Sequence, residues 1–75
     1  MNSSKLLYKA LISTYKAQRD EARAILEVYF NNAAGIGEHS ELVGEMKKWA
    51  LKLSEAEEII EALDRNFKHP PKLPK

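Results

Sequence analysis

The sequence predicts an all-α protein: an antiparallel two-helix hairpin of coiled-coil type that dimerises into a four-helix bundle. Three observations carry that expectation. Two stretches share an alternating four-three apolar rhythm, which keeps side chains on one face of a helix. Ser4, Tyr8, Leu11, Tyr15, Gln18, Ala22, Ile25 and Tyr29 mark the first register; Leu42, Met46, Trp49, Leu53, Ala56, Ile60, Leu63 and Phe67 mark the second. Between them stands Ala33-Ala34-Gly35-Ile36-Gly37-Glu38-His39-Ser40, whose glycines suit a reversal of the chain. Both registers are also flanked by further apolar residues that two helices cannot cover between them.

The first helix is expected over about residues 4–32. Ser3 or Ser4 can cap it, because a hydroxyl accepts from the unpaired first-turn amides. No Gly or Pro interrupts the stretch, and Ala, Leu, Lys, Glu and Arg favour it. The turn spans residues 33–39, with Gly35 or Gly37 free to adopt the left-handed conformation that closes a helix. A second helix follows over about residues 40–67. Ser40 is its candidate cap, and Glu41 and Glu45 sit near the positive end of its dipole. Gly44 weakens its start by about 1 kcal/mol relative to Ala. Ser54-Glu55-Ala56-Glu57 matches a capping box, but the register runs through it, so a continuous helix is expected. Residues 1–68 form the hairpin, and the Pro-rich residues 69–75 form an extended tail.

Folding the registers together with residue numbers summing to 71 sets Ala22 against Trp49, Tyr15 against Ala56 and Gln18 against Leu53. Large residues then meet small ones, as close packing requires. The same pairing brings Lys16 near Glu55 and Asp20 near Lys52. Leu7 and Val28 flank the seam on one side of the first helix, Ile12 and Leu26 on the other, and Val43, Ala50 and Ile59 flank it on the second helix. A wide apolar face suits a bundle of three or more helices. Leu7, Ile12, Leu26, Val28, Val43 and Ile59 are therefore the candidate protein interface.

Composition limits the function classes. Seventy-five residues make one domain at most. A lone core of that size rarely supplies more than about 3–5 kcal/mol, so small proteins usually add disulfides, a metal or a partner. With no cysteine there is no disulfide or thiolate metal site, and association is the remaining common support. Twelve basic and eleven acidic residues give a net charge of +1, too balanced to attract nucleic acid or anionic lipid strongly. The apolar runs fall far short of the roughly 18 residues that span a bilayer, and no signal-peptide stretch opens the chain, so no membrane association and a cytoplasmic location are expected.

No catalytic constellation is present, and the protein is expected not to be an enzyme. Ser40 beside His39 is a sequence neighbour, not a triad. Glu38 and His39 lack a second His at helical spacing, and no Glu-x-x-His faces inward, so no metal is expected. Gly35-Ile36-Gly37 lacks the pattern of a phosphate-binding loop, and no cofactor is expected. Trp49, Tyr8, Tyr15 and Tyr29 stand on seam positions and read as core. Gln18, the one amide in the register, is either a register-setting polar group or an exposed side chain. Arg19, Arg23, Lys47, Lys48 and Lys52 are the candidate nucleic-acid contacts, interrupted by Asp20, Glu21, Glu45 and Glu55. Pro71-Lys72-Leu73-Pro74 has the spacing of a segment that docks in aromatic grooves.

Ala24-Ile25-Leu26-Glu27-Val28-Tyr29-Phe30-Asn31-Asn32, Gly35-Ile36-Gly37-Glu38-His39-Ser40 and Ala56-Glu57-Glu58-Ile59-Ile60-Glu61-Ala62-Leu63 resemble small uncharacterised helical proteins of tailed bacteriophages, T4-like marine ones among them. In that group the turn often reads Gly-x-Gly-Glu-His-Pro; here Ser40 stands at the proline position. The resemblance implies a phage accessory protein, in the host cytoplasm if phage-encoded, and assigns no catalytic residue. The expectation is thus a small helical interaction protein that forms a homodimer or binds a helical partner; the alternative is a nucleic-acid-binding accessory protein using the mixed basic face.

Overall fold

In the computed structural model the described residues are 3–32 and 40–68. The glycine turn with Glu38 and His39, and the tail from His69, lie outside them. Among the described residues the structure is entirely helical: α1 runs Ser3–Asn31, α2 runs Ser40–Leu63, and a π-helical segment, Asp64–Lys68, continues α2. Ser3 and Ser4 are already helical, so the position before α1 that a cap would occupy lies outside the described residues. At the other end the Asn32 amide donates to the Val28 carbonyl at 3.0 Å, completing the last turn.

The two helices pack along one another. Their direction follows from chain length. α2 is about 36 Å long at the α-helical rise. The eight residues between Asn31 and Ser40 reach at most about 30 Å even when extended, too short to run back alongside a parallel neighbour. The pair is an antiparallel hairpin. Its principal extents are 56 × 24 × 16 Å, the dimensions of a single two-helix layer.

The seam is narrow. Ala22 and Ala56 are fully covered, and Leu26 is 8% exposed; these are the buried residues of the described chain. Both alanines that the sequence sets against larger partners are thus inside the seam. Tyr8, Tyr15, Ile25, Tyr29, Leu42, Met46, Trp49, Leu53, Ile60 and Leu63 are half-buried along it. The Gln18 amide donates to the Lys52 carbonyl at 3.0 Å and to Glu55 Oε1 at 3.3 Å. Gln18 therefore sits against the 52–55 turn of α2, around its expected neighbour Leu53. α2 is continuous through Ser54.

Three expectations are corrected. Leu26 is not on an open flank; it completes the core one turn beyond Ala22. The seam register does not reach Phe67. α2 widens into the π-helical segment at Asp64, which changes the angular step per residue and leaves Phe67 61% exposed. There the Asn66 side-chain amide donates to the Ala62 carbonyl at 2.7 Å. The cross-helix ion pairs of Lys16 with Glu55 and Asp20 with Lys52 do not form. Glu55 accepts from Gln18, whereas Lys16 stands one heptad before Arg23, on the other side of the seam. Asp20 pairs with its neighbour Arg19, and Lys52 lies over Trp49.

Gly44 is exposed in the first turns of α2, and a Cβ built there meets nothing within 4 Å. Gly44→Ala should therefore stabilise the hairpin by about 0.5–1 kcal/mol, by reducing the freedom of the unfolded chain without a clash. In a domain of this size that is a rise of about 2–8 °C in Tm, readable by circular dichroism. A lower Tm would show that something packs against this position.

Candidate interaction surface

Two distinct sides flank the seam, and seven-residue steps assign residues to them, since a helix drifts only about 20° per heptad. Ile12, Arg19 and Leu26 form one such row on α1, and Lys16, Arg23 and Phe30 another beside it. On α2 the matching rows are Val43-Ala50-Glu57-Asp64 and Met46-Leu53-Ile60. On this side a groove of about 500 Å³ is lined by Arg19 and Arg23 from α1, Glu57, Ile60 and Glu61 from α2, and Asp64 from the π-helical segment. One wall is basic and the other acidic.

The opposite side carries the Gln18 bonds to Lys52 and Glu55. Ile59 follows Lys52 by one heptad and belongs there. Leu7, Thr14, Glu21 and Val28 run along the outer edge of α1 at the same spacing. The Thr14 hydroxyl donates to the Ala10 carbonyl at 2.9 Å, a local bond that leaves this edge uncommitted to α2.

The six candidate interface residues therefore divide. Leu7 is 69% exposed, and Val28 and Val43 are also exposed; Ile12 and Ile59 are half-buried; Leu26 is buried within the hairpin. Seven-residue spacing sets Ile12 and Val43 on the groove side of the seam and Leu7, Val28 and Ile59 on the other, whereas Leu26 is inside the seam. Sequence reasoning missed the exposure of Leu6, Phe30 and Leu51. Leu51 is 70% exposed on the outer surface of α2, off both registers. Leu11 and Phe67 are exposed despite holding register positions; for Phe67 the π-helical step is the cause.

The candidate basic set is also divided. Arg19 and Arg23 face the acidic wall, and Arg19 Nε donates to Asp20 Oδ1 at 3.0 Å. Lys48 and Lys52 lie over the Trp49 ring at 5.3 and 5.7 Å from its centroid. Lys48 Nζ also approaches Glu45 Oε1 at 3.5 Å, with both side chains about half exposed, a pairing that contributes about 0–1 kcal/mol. The two lysines thus cover an aromatic face with their stems and ammonium groups. Lys47 is exposed. No continuous basic track connects the five.

Among the described residues no group of three or more His, Asp or Glu could hold a metal ion, and no helix is long and apolar enough to cross a membrane. No protein-family model matches the chain, and neither the curated proteins nor the solved structures yield a match.

Proposed function

We propose that this chain is a non-enzymatic helical interaction protein that self-associates by burying the apolar flanks of its hairpin, with a dimeric four-helix bundle as the assembled form. One imbalance carries the reading. Two alanines and one leucine are buried, whereas Leu6, Leu7, Leu11, Val28, Phe30, Val43, Leu51 and Phe67 are exposed. Burying a side chain such as Leu or Phe stabilises by about 1.5–3 kcal/mol. A seam with two alanines and one leucine inside and its other side chains half-buried leaves part of that stabilisation unused, and a second layer of helices against one side recovers some of it. A phage accessory role accords with the resemblance of residues 22–63 to tailed-phage proteins and with a function exercised through contact rather than chemistry.

Sedimentation equilibrium at micromolar concentration should give more than one chain per particle. Leu7→Asp tests the apolar contribution with little cost to the single hairpin: Leu7 is exposed near the start of α1, where a carboxylate favours the helix dipole. The variant should keep its helical signal and weaken association by about tenfold or more, the loss expected when a charge is buried in place of a methyl pair. A parent that is folded and strictly monomeric defeats self-association and leaves a foreign helical protein as the partner.

A further inference from the structure

Resting on that reading of self-association, we propose that a second copy of the chain docks on the side of the seam away from the groove, with Leu7 and Leu11 of each copy against Ala62 and Ile59 of the other and Glu21 of each between Lys48 and Lys52 of the other. On α1 this side carries Leu7, Leu11 and Glu21, all exposed. On α2 it carries Lys48, Lys52, Glu55, Ile59 and Ala62, spaced by fours and threes. The Gln18 bonds to Lys52 and Glu55 fix the level of one helix against the other. Gln18 lies level with Leu53, so residues whose numbers sum to 71 share a level. Leu11 is then level with Ile60, beside Ile59. Leu7 is two residues from the level of Ala62, about 3 Å along the helix. Glu21 is level with Ala50, midway between Lys48 and Lys52. Neither Glu21 nor Lys52 makes an ion pair with any described residue, and Lys48 has only its exposed pairing with Glu45.

Symmetry makes this side self-complementary. A two-fold axis parallel to the helices lays α1 of one copy over α2 of the other and leaves every residue at its own level. The leucines of α1 then meet Ala62 and Ile59 of the other copy, and the Glu21 carboxylate comes between two ammonium groups. Acid does not meet acid, because Glu45 and Glu55 each stand five residues from the level of Glu21, about 7–8 Å along the helix. Both sets of contacts occur twice in the dimer. A two-fold axis across the helices would lay α1 on α1 and keep Glu21 away from those lysines. The parallel axis also makes every neighbouring pair of helices antiparallel, the up-down order of a four-helix bundle. The groove side is the poorer face for a second copy. There the same register sets Arg19 and Arg23 level with Lys52 and Lys48, and the α2 residue facing that side between them is Ala50. Both guanidinium groups would lose water with no acid at their own level. A nucleic acid on the Leu7 side would meet Glu21, Glu45 and Glu55 among the lysines.

Charge exchange tests the docking. The Glu21→Lys variant and the Lys48→Glu/Lys52→Glu variant should each dimerise about tenfold more weakly than the parent at low salt, because each confronts like with like. Mixed in equal amounts they should form a one-to-one heterodimer, in which both sets of contacts are opposite in sign again. Circular dichroism run alongside follows folding: a variant that loses helicity alone should regain it in the mixture. Val43→Asp, on the groove side, should dimerise as the parent does. A parent dimer that Val43→Asp weakens and the charge variants do not, with no preference for the heterodimer in the mixture, would overturn this face while leaving self-association intact. A monomeric parent would overturn both.

Discussion

Leu26→Asp should unfold the chain rather than separate two intact hairpins. Leu26 is 8% exposed and lies in the seam beside Ala22, so the substitution removes the largest buried side chain and sets a carboxylate in its place. Loss of the buried leucine costs about 2–5 kcal/mol, and an uncompensated buried charge adds to that. A core of this size supplies about 3–5 kcal/mol in all. The helical signal at 222 nm should therefore collapse at room temperature even in dilute solution. Leu51→Asp is the control: Leu51 is 70% exposed, and the change should move stability by less than about 0.5 kcal/mol. A Leu26→Asp protein as helical and as heat-resistant as the parent would show that Leu26 faces outward in solution.

That expectation depends on a point where sequence and structure part. The four-three rhythm was sufficient to anticipate two helices and the small residues Ala22 and Ala56 between them, because periodicity and volume are properties of the residues themselves. Leu26 was not legible as core. A strict seven-residue register drifts by about 20° per heptad on a straight helix, so by the third heptad of α1 the row through Ile12, Arg19 and Leu26 has turned into the seam. Phe67 fails for a different reason: the π-helical step at Asp64 breaks the register, and the apolar pattern does not announce it. Gln18 was legible as an unusual seam residue but not in its role. Its bonds to the Lys52 carbonyl and to Glu55 depend on which turn of α2 lies opposite.

The groove was still less legible. Along the chain Arg19 and Arg23 sit beside Asp20 and Glu21, and Glu57 and Glu61 belong to an acidic run that reads as a solvated helix face. Some 34 to 42 residues separate the two sets. Only antiparallel packing brings them to opposite walls, and only the side of the seam decides that Lys48 and Lys52 are excluded. Identity of charge therefore misled, because a basic set chosen by composition mixes residues from both sides of a two-helix layer. The apolar flanks suffer the same mixing: Leu7 and Val43 are both exposed, yet they belong to opposite sides and cannot enter one flat contact.

Ala56→Leu should be nearly as damaging as Leu26→Asp, by the opposite mechanism. Ala56 is fully covered, and the seam at that level closes against the half-buried side chains of α1. Protein interiors are close-packed, so three heavy atoms added at a fully covered methyl push the helices apart or force side chains from their preferred rotamers, at a cost of typically about 1–3 kcal/mol. Against a total of about 3–5 kcal/mol that is a fall in Tm of roughly 4–24 °C. Moving apart would also stretch the Gln18 bond to Lys52, which spans the same stretch of the seam at 3.0 Å. Leucine has a slightly lower helix propensity than alanine, but the difference is a few tenths of a kcal/mol and cannot supply such a loss. Ala24→Leu, at an exposed position of α1 outside the seam and its flanking rows, isolates that small term. Thermal unfolding of both variants decides the matter: a similar Tm for the two would mean that the helices do not approach closely at Ala56, and the hairpin seam would have to be drawn elsewhere.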